Sequence, residues 1–130
     1  MNAVSTIWVI EDDESIAQCL TLLLESAEYR VRTAGSLGEA RALSGVPNLV
    51  LLDFLLPDGN GVAFLPELSE RFPGTRVILL TAQDRVGTSR FPAHVTYQSK
   101  PFHNHQLLEL IRSELARSGS DSSWTPPVSY

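Results

Sequence analysis

With 130 residues, 43% hydrophobic and 19% charged, the chain holds one domain's worth of core and has the composition of an ordinary soluble globular protein rather than a disordered one. Its 15 acidic residues outweigh 10 dispersed basic ones for a net charge of −5, which argues against a nucleic-acid surface on this domain, since that needs a basic stripe. The single cysteine, Cys19, excludes an internal disulfide; the start has no basic n-region and no run approaches the roughly 20 apolar residues of a membrane span, so a cytoplasmic protein that does not enter a membrane is expected.

The first apolar run, Ile7-Trp8-Val9-Ile10, is too short for a buried helix and reads as a strand with Trp8 core-facing or packed on a helix; it ends on Glu11-Asp12-Asp13. Ile16, Leu20, Leu23, Leu24 and Ala27 then recur at helical spacing, predicting an amphipathic helix from Ser15 to about Ala27 with Cys19 beside its apolar stripe. Ser15 with Gln18 fits a capping box at its start, and Asp13 is the alternative cap. The alternation from Tyr29 to Ala34 predicts a strand with one wetter face. Ser36-Leu37-Gly38-Glu39 is a second capping box, opening a short helix that ends near Ser44-Gly45. Leu49-Val50-Leu51-Leu52 is another buried strand, running into Asp53.

Pro57-Asp58-Gly59-Asn60-Gly61 is turn chemistry, and its two glycines lack the third needed for a dinucleotide fingerprint. A helix follows from about Val62 to Phe72, with Pro66 predicting a late start or a kink. Val77-Ile78-Leu79-Leu80 runs into Thr81, and the run from His94 to Ser99 leads into Lys100-Pro101. His103 and His105 flank a helix start and read as one capping and one solvated residue rather than a metal pair. The last helix, from about Asn104 to Arg117, buries Leu107, Leu108, Ile111 and Leu115; residues 118–130, with Trp124, read as a linker or loose tail. Strands alternating with helices predict a parallel sheet wrapped on both faces by right-handed crossovers.

In such a sheet the carboxyl ends of the strands share one rim, where ligand chemistry is done. That rim would gather Glu11 and Asp12, Asp53, Thr81 and Lys100, the last being the only lysine of the chain. Asp53 is then a candidate nucleophile toward a phosphoryl group, Glu11 and Asp12 are hard oxygen ligands suited to Mg²⁺, Thr81 offers a hydroxyl to a new phosphoryl oxygen, and Lys100 offers fixed positive charge. Without the cation, the clustered carboxylates should repel and raise at least one pKa.

The chain resembles the receiver domains of two-component response regulators. The matching text is Ile10-Glu11-Asp12-Asp13-Glu14, the stretch from Leu52 to Gly61, Leu80-Thr81-Ala82 and Lys100-Pro101-Phe102, and the resemblance covers about Ile7 to Arg117. It implies an α/β fold, a five-stranded parallel (βα)₅ doubly wound sheet in flavodoxin-like order, with a receiver over residues 1–117. It further implies that Asp53 accepts a phosphoryl group from a sensor histidine kinase or a histidine phosphotransfer protein. Mg²⁺, or Mn²⁺, would be held by Asp12 and Asp53, by Glu11 through water, and by the backbone carbonyl of Leu55. Thr81 would be the switch hydroxyl, Tyr97 the aromatic moving behind it, and the Lys100–Pro101 bond cis.

The chain departs from the family between residues 83 and 93, which lack a helical apolar period and hold Gly87 and Pro92, so a short, irregular or absent fourth helix is expected. A phosphohydrolase with an aspartyl intermediate would need a second aspartate where Leu55 stands. A phosphate-independent pseudo-receiver, acting as a protein-binding module, would have lost one of the acidic or basic site residues, all of which are present. The expectation is therefore a switch domain rather than an enzyme, with an output domain possible beyond residue 130.

Overall fold

The computed structural model describes residues 4–82 and 92–120. In chain order the elements are β1 (Thr6–Ile10), α1 (Glu14–Ser26), β2 (Arg30–Ala34), α2 (Leu37–Ala42), β3 (Leu49–Asp53), β4 (Leu55–Leu56), β5 (Gly59–Asn60), α3 (Gly61–Arg71), β6 (Arg76–Thr81), β7 (Val95–Ser99) and α4 (Asn104–Ser120). β1, β2, β3, β6 and β7 form one parallel sheet in the order β2-β1-β3-β6-β7. This is the expected five-stranded doubly wound arrangement.

Strand alternation divides the core into two halves. Trp8, Ile10, Val50, Leu52, Val77 and Leu79 pack with Leu37 and Ala40 of α2 and with Phe64, Leu65 and Leu68 of α3. Ile7, Val9, Leu49, Leu51, Ile78 and Leu80 pack with Leu20 and Leu24 of α1 and with Leu107 and Ile111 of α4. β3 and β6 are buried along their whole length, which is why they read as unbroken apolar runs. The edge strand β2 is mostly exposed. Trp8 is a core residue, meeting Phe72 edge-to-face at 5.3 Å, and Cys19 is exposed rather than packed.

Several element ends differ from expectation for local reasons. α1 is capped by Asp13, whose side chain accepts from the Ile16 N–H at 3.1 Å, so the Ser15 box is not used. At α2 the Ser36 hydroxyl accepts from the Glu39 N–H, but the Glu39 carboxylate reaches back to the Gly35 N–H, one residue ahead of the cap. α3 begins at Gly61, capped by Asn60, five residues ahead of Pro66; the late start does not occur. The predicted turn at residues 57–61 forms the tip and return strand of the antiparallel β4–β5 hairpin, the two strands pairing Leu55 with Asn60 and Leu56 with Gly59. α4 continues through Ser120, three residues past its expected end. The irregular segment placed at 83–93 lies, but for its last two residues, outside the described residues, as does Trp124.

Candidate functional site

Because β1, β3, β6 and β7 are parallel, Glu11, Asp53, Thr81 and Lys100 stand at one rim, with Asp53 in register with Leu80 and Thr81 with Ser99. They line a cleft of about 330 Å³ together with Asp12, Asp13, Ile16, Phe54, Leu55 and Ala82. Glu11, Asp53 and Thr81 are 4%, 7% and 1% exposed, whereas Asp12 is open to solvent. Backbone bonds brace this rim: the Phe54 N–H donates to the Leu80 carbonyl and the Lys100 N–H to the Thr81 carbonyl, both at 2.8 Å. The Lys100–Pro101 bond is cis.

One carboxylate oxygen from each of Glu11, Asp12 and Asp53 lies within 4.8 Å of the others. Three hard oxygen donors, two of them buried and one facing water, suit a divalent cation that keeps several waters. The Lys100 ammonium sits between two of the carboxylates, 2.9 Å from Glu11 Oε1 and 3.3 Å from Asp53 Oδ1. The other Glu11 oxygen accepts the Asp13 N–H at 3.1 Å. Burial raises the Glu11 carboxyl above its ordinary value despite Lys100 and the Asp13 N–H, with Asp53 adding to the rise. Burial alone would lower Lys100, but hydrogen bonds and charge from Glu11 and Asp53 outweigh it and hold the ammonium proton more tightly than usual. One carboxylate of the cluster is thus perturbed upward, chiefly by burial and only secondarily by its neighbour Asp53.

The family model described as response regulator receiver domain matches residues 7–112. The chain belongs to this family. As a receiver it is a phosphoacceptor domain of two-component signalling, its family being one of conformational switches. It is 38% identical over 124 residues to the uncharacterized transcriptional regulatory protein YkoG of Bacillus subtilis, covering 88% of this chain and 52% of that protein. A CheY-like receiver domain protein of Methanospirillum hungatei superposes with a TM-score of 0.84 at 27% identity, over 92% of this chain and all of that one. The response regulator TrrA of Thermotoga maritima, solved in complex with Mg²⁺-BeF, has a TM-score of 0.78 at 26% identity, over 85% of this chain and 99% of that one. The chain spans about half the length of curated relatives such as YkoG. Among the described residues no helix is long and apolar enough to cross a membrane.

In this receiver the predicted residues Glu11, Asp12, Asp53, Leu55, Thr81 and Lys100 all border the one cleft. Tyr97 does not: it is 40% exposed and lies on β7 in register with Leu79, two residues before the strand end. The shorter contact of Lys100 is with Glu11 rather than Asp53, so at rest its charge is shared. Sequence reasoning also passed over Asp58, whose carboxylate accepts two N–H groups of α2, from Leu37 at 2.8 Å and Gly38 at 2.9 Å. The aspartate inside Pro57-Asp58-Gly59 signalled a turn, and nothing local pointed to partners some twenty residues back.

Proposed function

We propose that Asp53 is the phosphoacceptor of this receiver, and that a divalent cation such as Mg²⁺ is held by Asp12 and Asp53 directly, by Glu11 through water and by the Leu55 carbonyl. The observation that carries the reading is the convergence of three carboxylates and the only lysine on one cleft, beside the buried Thr81. The step forms a P–O bond to an Asp53 carboxylate oxygen and breaks the N–P bond of a phosphohistidine on a sensor kinase or histidine phosphotransfer protein; family membership supports this choice of donor. When bound, the cation neutralises charge that builds on the phosphoryl oxygens.

The chain's own residues do the rest. β3, buried throughout, fixes the Asp53 backbone. Lys100 offsets the charge of Asp53 at rest and is within reach of the phosphoryl oxygens afterwards. Glu11, with one oxygen on Lys100 and the other on the Asp13 N–H, is already engaged and suits an outer role toward the cation. Thr81 can donate its hydroxyl to a phosphoryl oxygen, and Tyr97 would move inward behind it. The Mg²⁺-BeF complex of the Thermotoga relative supports the cation. The greater length of the relatives supports an output domain beyond residue 130.

Intact-protein mass after incubation with acetyl phosphate is expected to show one added phosphoryl group, absent in Asp53→Asn and abolished by chelator. Labelling that persists in Asp53→Asn would put the acceptor elsewhere.

A further inference from the structure

Asp58 lies at the tip of the β4–β5 hairpin, between Leu56 and Gly59, yet its acceptors serve another element. The first turn of a helix has N–H groups without intrahelical partners, which the residue just before the helix usually satisfies in part. In α2, the Glu39 and Ala40 N–H groups donate to the side chain and carbonyl of Ser36. The Leu37 and Gly38 N–H groups donate instead to Oδ1 and Oδ2 of Asp58. Both oxygens of one carboxylate therefore close the helix start. Those two N–H groups hold the Asp58 carboxyl below the ordinary carboxylate range, which keeps the accepting form present.

The hairpin needs such an anchor. With two residues on each side it cannot hold its own shape in water. Its base is tied by the Gly61 N–H to the Phe54 carbonyl at 2.8 Å, and Leu56 packs against the α2/α3 half of the core. Its tip is tied by Asp58. Leu55, exposed and lining the carboxylate cleft, sits between base and tip.

We propose that Asp58 is a positioning residue for the cation site: by fastening the hairpin tip to α2 it holds the Leu55 backbone at the cleft, and so makes cation binding and order at the start of α2 depend on each other. This rests on the functional reading above, in which the Leu55 carbonyl is a ligand. The dependence runs both ways, because coupling between two binding equilibria is reciprocal. Cation binding steadies the hairpin and with it the two hydrogen bonds into α2.

The test uses the whole 130-residue chain as wild type, Asp58→Ala and Asp58→Asn. Asparagine keeps one accepting oxygen but turns an amide N–H toward a backbone N–H. Mg²⁺ affinity is measured by titration calorimetry, and exchange of the Leu37 and Gly38 amides by NMR with and without saturating Mg²⁺. Residues that orient ligands typically contribute a factor of ten or more in affinity, so Asp58→Ala is expected to weaken Mg²⁺ binding about tenfold, with Asp58→Asn in between. The maximal rate of phosphorylation from acetyl phosphate at saturating Mg²⁺ should stay within about twofold, separating positioning from chemistry. In wild type, Mg²⁺ should slow exchange at Leu37 and Gly38, and in Asp58→Ala it should not. Variants that bind Mg²⁺ as tightly as a normally binding wild type would overturn the proposal alone, as would wild-type exchange that ignores Mg²⁺. A wild type that takes no Mg²⁺ would overturn the functional reading and this proposal together. The exchange measurement on wild type decides the matter even if Asp58→Ala does not fold.

Discussion

Arg76 and Glu114 meet at the end of the sheet remote from the cleft, where β6 begins. The guanidinium donates to Glu114 Oε1 at 3.0 and 2.8 Å and to the Ala93 carbonyl at 3.1 Å. The other Glu114 oxygen accepts from the Thr96 hydroxyl at 3.3 Å and from Arg117 at 3.4 Å. Their side chains are only 8% and 3% exposed, so neither charge can fall back on water. Removing one partner of such a pair strands the other, at about 3–5 kcal/mol, whereas replacing both with apolar groups of similar volume is often near neutral. Arg76→Met and Glu114→Leu are each expected to lose about 3–5 kcal/mol in urea unfolding, and the double variant much less than their sum. Strictly additive losses would mean the two charges are not coupled. The sequence held a faint sign of this pair, since Glu114 falls on the stripe of Leu107, Ile111 and Leu115, where a charge is out of place. It held none for the closer approach of Lys100 to Glu11 than to Asp53, a matter of tenths of an ångström at a rim where three carboxylates compete.

Among the elements, α3 bears most directly on β3, the strand of the proposed acceptor Asp53. Its first residue, Gly61, packs so closely against β3 that an added Cβ would overlap the Asp53 carbonyl oxygen and lie 3.2 Å from Leu52 Cγ. The obstacle is backbone and cannot swing aside. Gly61→Ala is therefore expected to destabilise the domain by about 1–3 kcal/mol, the usual range for forcing extra volume into a packed site, and to slow labelling of Asp53 by displacing its peptide. Gly74→Ala, with nothing within 4 Å of the added carbon, is the control and should be nearly silent in both measurements. Element type and order were readable because buried strands and amphipathic helices have different apolar periods. Element ends were less so: Asp13 and Ser15 both offered a cap to α1, and only the placement of the Asp13 carboxylate over the Ile16 N–H decides between them. The β4–β5 hairpin was hidden because its four residues are held by contacts at its base and tip rather than by strand propensity.

At the scale of the whole molecule, cation binding and folding should be linked, since the three carboxylates come together only in the folded chain. A ligand specific to the native state stabilises it by about 2.7 kcal/mol at a hundred times its Kd. Thermal unfolding is thus expected to shift upward with Mg²⁺ in the wild-type receiver and not in Asp12→Asn; equal shifts in both would place the cation elsewhere. The fold was legible as a whole because every strand of the central sheet left its signature in the sequence, and the rim residues because each follows such a run. Tyr97 was singled out only through family likeness, since an aromatic on an edge strand looks like any surface residue, and its part in the response is a proposal. The pleat carries one more consequence. Asp53 continues the side of β3 that bears Leu49 and Leu51, facing α1 and α4, whereas Thr81 continues the side of β6 that bears Val77 and Leu79, facing α3, and Tyr97 shares that side through its register with Leu79. The sheet is thus a wall with the proposed acceptor on one side and the proposed responding pair on the other. In the proposed reaction, news of the phosphoryl group can pass between the two rooms only over the top of that wall.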